Sequence, residues 1–183
     1  MVSEQAEVHH ADSVNFTRSQ GKTKIYDSCL ASLDALLSTQ TFWPSNLANT
    51  ASLLWHAFKT LDMHVNWSGF YVTDPSGDRS RLLLGPFMGK VACQEIEIGK
   101  GVCGAAALTG ETQVVPDVNK RPGHIACDGE TNSEVVVPIF DHDHDNKIKA
   151  VLDIDCLVIN GFSDQDVQFL ERVAEKVSKY SKW

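Results

Sequence analysis

The sequence predicts an α+β protein in which helices pack against an antiparallel sheet. Apolar residues recur at helical spacing near both ends of the chain, whereas the middle of the chain alternates apolar and polar residues with a period of two. Turn sequences separate the alternating segments at hairpin spacing. Hairpin strands with helices gathered at the two ends favour an α+β sandwich around one sheet.

Composition limits the class of protein. A chain of 183 residues with 43% hydrophobic and 22% charged residues has the size and balance of one globular domain. The net charge of -8 argues against nucleic acid or an anionic membrane surface as partners. No apolar run is long enough to span a bilayer. We expect a soluble, cytoplasmic protein, and the sequence leaves the nucleus open as a second compartment.

The helices are predicted from their apolar spacing. Residues 1–20 are polar and aperiodic, which predicts a surface arm before a single domain over residues 21–183. Residues 22–37 form an amphipathic helix, whose apolar face could also serve a homodimer. Ser45 is the expected N-cap of a second helix, and residues 163–166 resemble a capping box that starts the last helix.

The strands follow the second helix. In residues 65–73, alternation places Val65, Trp67 and Tyr71 on one face. A turn at residues 74–77 leads into a partner strand over residues 81–87. A further extended segment over residues 91–98 contains Cys93, and a small-residue helix over residues 102–108 has Cys103 in its first turn.

The stretch from residue 114 to residue 140 is the most unusual part of the chain. A long polar loop with Cys127 and His124 joins two apolar strands, and Glu134 stands where the second strand begins. Long loops inside compact domains are usually functional or disordered. The following DHDHDN sequence and the His9–His10 pair invite a metal interpretation, but a solvated turn and a solvated tail are the favoured ones.

Two acids lie on the next strand. Asp153 and Asp155 are two residues apart and therefore project from the same face, while Cys156 alternates onto the apolar face. When two carboxylates lie this near each other, their repulsion raises the pKa of at least one of them. That group can then act as a proton donor near neutral pH. Together with Trp67 and Tyr71, they predict a small pocket for an amphipathic or cationic ligand.

Five cysteines without a CxxC motif do not form a structural disulfide framework. Cys29 lies on the apolar face of the first helix and is expected in the core. Cys127 is expected to be an exposed thiolate, and the helix N-terminus is expected to lower the pKa of Cys103. Sequence physics does not rank Cys127 above Cys103 as a nucleophile.

Several stretches resemble the free methionine-(R)-sulfoxide reductases, small enzymes with a GAF fold. These stretches are HHADSVN, SLLWHAFK, VNWSGFYV, LGPFMGKVACQEIEIGKGVCG, VPDVNKRPGHIACDGETNSEVVVPI and LDIDCL. They cover nearly the whole chain, and all three cysteines of the family are present. The resemblance implies thiol-dependent reduction of free L-methionine (R)-S-oxide, with thioredoxin as the reductant and with protection against oxidative stress as the role.

The resemblance also implies residue roles. Cys127 attacks the sulfoxide sulfur, Cys93 resolves the sulfenic acid and Cys103 is a secondary resolving thiol. Trp67 and Tyr71 surround the methyl group and sulfur of the substrate, and its carboxylate partners are Glu134, Asp153 and Asp155. No metal and no organic cofactor is expected.

Three alternatives stay open. GAF folds often serve as small-molecule sensors, although this chain has no room for an output domain. A cysteine hydrolase could use Cys127 with His124, but would leave Cys93, Cys103 and the acids without a role. A metal site formed by His124, Cys127 and the Asp153/Asp155 pair has little support from ligand spacing.

Overall fold

A computed structural model describes residues 16–78, 80–123, 128–141 and 147–183. Four helices and six strands follow one another along these residues. The helices are α1 (Lys22–Leu37), α2 (Trp43–Leu61), α3 (Gly101–Thr109) and α4 (Asp164–Tyr180), and the strands are β1 (Val65–Thr73), β2 (Arg81–Gly89), β3 (Glu95–Glu97), β4 (Gln113–Val115), β5 (Ser133–Asp141) and β6 (Lys147–Cys156).

The strands form one antiparallel sheet in the order β3-β2-β1-β6-β5-β4. Apolar residues of α1, α2 and α4 pack against one face of this sheet and form the main core. Helix α3 covers the other face over a smaller cluster. The predicted α+β class with an antiparallel sheet is confirmed.

Most helix predictions hold. Helix α1 matches residues 22–37, and the Ser163 and Asp166 side chains form a capping box at the start of α4. Helix α2 begins at Trp43 instead of after Ser45, with Phe42 as N-cap, because the ring of Pro44 suits the first helical turn.

The apolar face of α1 is used inside the chain. Ile25, Cys29 and Leu33 are completely buried in the main core. The expected core position of Cys29 is therefore confirmed, and so is that of Cys156. A homodimer would have to use a surface other than this face of α1.

Two strand predictions need correction. Val65 packs in the main core, whereas Trp67 and Tyr71 belong to the cluster on the opposite face. The pairing of β1 with β6 shifts its register between Val65 and Trp67, and such an irregularity moves a side chain to the other face. Of the segment over residues 91–98, only Glu95–Glu97 is a strand.

None of the described helices has the length and apolar character needed to cross a membrane.

Candidate active site

Register places the predicted site residues in one row across the sheet. Asp155 on β6 lies between Trp67 on β1 and Glu134 on β5, and it is paired with both. In the next row of β6, Asp153 pairs with Gly69 on β1. Because side chains two residues apart share a face, these acids and aromatic rings all lie on the side covered by α3.

Three aromatic rings form one wall. The Trp67 ring stacks on Phe87 with centroids 5.2 Å apart and on Tyr71 with centroids 5.8 Å apart. Gly69 makes this stack possible, since a Cβ atom there would lie 2.3 Å from the Cβ atom of Phe87. The sequence pattern indicated Trp67 and Tyr71 as pocket residues but did not indicate Phe87.

The aromatic side chains also hold the segment that contains Cys93. The Trp67 Nε1–H group donates a hydrogen bond to the Lys90 carbonyl oxygen at 3.2 Å. The Tyr71 hydroxyl donates one to the Cys93 carbonyl oxygen at 3.1 Å. Cys93 itself is disulfide-bonded. The segment after β2 is therefore tied to the pocket wall at two points.

The aromatic wall and the acids line one pocket. It is lined by Trp67, Tyr71, Val91, Ala92, Ile96, Gly101, Val102, Cys103, Asp128, Thr131, Glu134, Asp153 and Asp155. All the predicted substrate-binding residues are in this set. Of the predicted cysteines, Cys103 lines the pocket, whereas Cys127 and its neighbour His124 lie outside the described residues. The His9–His10 pair and residues 142–146 of the DHDHDN sequence also lie outside them.

The acids at the back of the pocket are held towards their neutral forms. Burial raises the pKa of Asp153 well above its usual range, and the neighbouring charge of Glu134 raises it further. Burial also raises the pKa of Asp155, with smaller contributions from Asp153 and Asp128. The sequence prediction of a raised carboxyl pKa from this pair therefore agrees with the structure, and burial is the larger cause.

The expectation for Cys103 was wrong. Only 4% of this residue is exposed, and burial raises the pKa of its thiol well above the usual range, with Asp153 and Glu134 adding to the shift. Cys103 instead makes a hydrogen bond with the Asp153 carboxyl group.

An ionised acid that the sequence analysis did not assign lies at the side of the pocket. Asp128 accepts hydrogen bonds from the Glu130 backbone N–H at 3.0 Å and from the Asn66 side chain at 3.2 Å, and Lys90 Nζ is 3.9 Å away. These contacts, the Glu130 amide first, lower the pKa of Asp128. The Asp128–Gly129 turn sequence could have indicated this residue, because an Asp side chain in a turn often accepts a hydrogen bond from the backbone N–H two residues later.

The site thus combines two kinds of carboxyl group in one pocket. Asp153 and Asp155 keep their protons to higher pH than ordinary carboxyl groups and can donate them, whereas the pKa of Asp128 is lowered and its charged form is favoured. Such a pocket can bind a small cationic group, hold an apolar group against aromatic rings and protonate a bound oxygen.

The fold and this pocket define a GAF domain, and the GAF domain family matches residues 48–180. A solved structure of a GAF domain has 52% sequence identity and a TM-score of 0.90, and the match covers 98% of this chain and 99% of that one.

More specific relatives share the whole domain. The free methionine-R-sulfoxide reductase of Saccharomyces cerevisiae is 54% identical over 171 residues, which are 93% of each chain. The structure of free methionine-R-sulfoxide reductase from Neisseria meningitidis, in complex with its substrate, has 36% identity and a TM-score of 0.81, covering 91% of this chain and 94% of that one. The chain belongs to the free methionine-(R)-sulfoxide reductases, a family of oxidoreductases.

Proposed function

We propose that the protein reduces free L-methionine (R)-S-oxide to L-methionine with its own thiols, and that thioredoxin restores those thiols. The observation that carries this proposal is the single pocket in which Trp67 and Tyr71 face Glu134, Asp153 and Asp155. The names of the yeast and Neisseria relatives support the substrate.

The proposed reaction moves the sulfoxide oxygen onto a protein sulfur. The Cys127 thiolate attacks the sulfoxide sulfur, and the sulfoxide oxygen takes up one proton. The resulting hydroxyl group passes from the methionine sulfur to the Cys127 sulfur as the bond between the two sulfur atoms breaks, so methionine leaves and Cys127 becomes a sulfenic acid. The Cys93 thiol then attacks the sulfenic sulfur, water departs and a disulfide forms, which a dithiol of thioredoxin reduces by exchange.

The acids supply what this reaction requires. Asp153 and Asp155 are the proton donors of the proposal, since burial raises the pKa of both carboxyl groups. The substrate ammonium group needs an ionised partner. Asp128 provides a negative charge in addition to Glu134, Asp153 and Asp155, the three acids that the family resemblance assigns to substrate binding. A peptide-bound methionine sulfoxide has no ammonium group, which explains a preference for the free amino acid.

The thiol assignments have unequal support. The disulfide at Cys93 supports this residue as the resolving thiol. The burial and raised pKa of Cys103 disfavour it as a nucleophile, so a secondary resolving role would require a change around α3. Protection against oxidative stress is a part of the proposal that rests on the resemblance. The cytoplasmic and nuclear locations and a homodimer are expectations from the sequence, and the homodimer would need a surface other than the buried face of α1.

The test is NADPH consumption in a thioredoxin-coupled assay with three substrates: free methionine (R)-sulfoxide, its (S) epimer and N-acetylated (R)-sulfoxide. We expect turnover of the free (R) form alone. Cys127→Ser should abolish turnover, and Cys93→Ser should stop it after one equivalent. Cys29→Ala removes a thiol from the core and is the control for the loss of a cysteine.

Asp128→Asn separates recognition from chemistry. Loss of the charge should raise KM about tenfold, the effect of one charge-assisted contact of about 1.4 kcal/mol, with a smaller change in kcat. Turnover by Cys127→Ser would overturn the nucleophile assignment. Absence of turnover with every sulfoxide would overturn the proposed function and favour a sensor.

A further inference from the structure

Three metal-ligand side chains meet at the back of the pocket. One sulfur or carboxylate oxygen from each of Cys103, Glu134 and Asp153 lies within 4.8 Å of the other two. The side chains come from α3, β5 and β6, so three packed elements fix their arrangement. The three residues are only 4–6% exposed.

The described lining of this pocket is acidic. No lysine, arginine or histidine is among the described residues that line the pocket. The Oδ1 atom of Asp153 is buried and has no hydrogen-bond partner. Buried carboxyl oxygens nearly always have a partner, so an oxygen left over in a pocket indicates that a ligand approaches from the pocket side. A metal ion that displaces the carboxyl proton is one such ligand.

We propose that Cys103, Glu134 and Asp153 form a zinc-binding site, in which the metal ion excludes the substrate. One thiolate and two carboxylate oxygens are ligands that Zn²⁺ accepts, and three protein ligands leave a fourth position for water on the pocket side. Hard cations such as Mg²⁺ prefer oxygen ligands alone and do not favour a sulfur position.

The geometry requires only small movements. Tetrahedral zinc with Zn–S of about 2.3 Å and Zn–O of about 2.0 Å places its ligand atoms roughly 3.5 Å apart. The three atoms are within 4.8 Å of one another, so side-chain rotations that move the ligand atoms by roughly 1 Å are enough to reach this geometry. Cys103 is already oriented towards Asp153 by their hydrogen bond.

Metal binding would release the protons of the buried groups. Zinc binds the thiolate and the carboxylates, so its affinity rises with pH as Cys103 and Asp153 lose their protons. Exclusion of the substrate rests on the proposed function, because zinc would occupy the two carboxylates assigned to substrate binding. Metal binding itself does not rest on it.

The experiment uses Co²⁺ as a spectroscopic probe for the zinc site in the full-length, oxidised protein. With Cys93 in its disulfide, the free thiols of the described residues are Cys29, Cys103 and Cys156. Binding to Cys103 should give a thiolate-to-cobalt charge-transfer band, and one equivalent of Zn²⁺ should remove it. Histidines of the N-terminal region cannot produce this band.

The variants identify the ligands. Cys103→Ser should abolish the band, and Asp153→Asn should weaken cobalt binding about tenfold or more, as the loss of an oriented ligand does. Cys29→Ser, which removes another buried thiol, should leave the band unchanged. Near-ultraviolet circular dichroism of each variant verifies that it is folded.

Competition is measured as binding, without turnover. Free methionine at saturating concentration should raise the apparent cobalt dissociation constant of the wild type. No band in the wild type, an unchanged band in folded Cys103→Ser, or no effect of free methionine would overturn the proposal. If the enzyme assay fails but the cobalt band appears and needs Cys103, the metal site stands and the proposed reaction does not.

Discussion

Gly69→Ala is expected to damage both the stability and the site. The added Cβ atom would lie 2.3 Å from the Phe87 Cβ atom and 2.7 Å from the Trp67 ring. The Phe87 Cβ atom is tied to the backbone of β2, which is paired with β1 at this position, so it cannot rotate away. The ring stack of Phe87, Trp67 and Tyr71 must therefore open.

The size of the effect follows from this clash. Overpacking of a filled cluster costs about 1–3 kcal/mol of the free energy of unfolding. For a domain of this size each kcal/mol lowers Tm by roughly 2–4 °C, so we expect a decrease of roughly 2–12 °C. A displacement of Trp67 by roughly 1 Å would also lower kcat/KM by up to roughly 100-fold.

Calorimetry and the thioredoxin-coupled assay measure the two effects. Gly129→Ala is the control for stability, because no atom lies within 4 Å of its added Cβ atom and its φ is not in the left-handed region. That variant should change the free energy of unfolding by less than about 0.5 kcal/mol. An unchanged Tm and unchanged turnover for Gly69→Ala would refute the role of the glycine in building the aromatic wall.

Three further predictions concern buried polar groups. Ser68→Ala should raise the free energy of unfolding by about 1 kcal/mol in urea denaturation, since the Ser68 hydroxyl is buried without a hydrogen-bond partner; a loss of stability would contradict this. Asp166→Ala should cost about 3 kcal/mol, because Asp166 pairs with Lys22 at 2.6 Å and accepts a hydrogen bond from Tyr26. Burial alone would raise the pKa of Asp166, but these bonds lower it overall. The part of the deficit that comes from the ionised carboxylate should therefore be full above about pH 4 and be lost as the pH falls through the lowered folded pKa. Asp153→Asn should do the opposite. The raised folded pKa means that the wild type loses stability as the pH rises above about 4, so the variant should be more stable than the wild type at pH 7 and close to it near pH 4. An Asp153→Asn variant less stable than the wild type at pH 7 would show that this carboxyl group does not resist ionisation.

The elements that could be predicted are those determined by local pattern. The bounds of α1 and β1 follow from apolar spacing, and the start of α4 follows from Ser163 and Asp166. The face shared by Asp153 and Asp155 also follows from alternation alone. Each of these features depends on residues close together in the sequence.

The remaining features depend on contacts between distant residues. The exposure of Cys103 could not be inferred, because it is set by the close packing of α3 on β3: a Cβ atom at Gly104 would lie 2.4 Å from the Glu97 carbonyl oxygen. The face of the sheet on which Val65 lies depends on a register shift in the pairing of β1 with β6. Phe87 joins the site only through the pairing of β2 with β1.

Burial of the acids gives the pocket two properties at once. A carboxyl group kept from water has a raised pKa and holds a proton that it can donate, as reduction of a sulfoxide requires. Because water is excluded, the Asp153 Oδ1 atom also has no hydrogen-bond partner. Together with Cys103 and Glu134, the Asp153 carboxyl group can therefore bind a cation. A substitution that removes one property must affect the other, so Asp153→Asn is expected to lose its proton donor and to weaken zinc binding together.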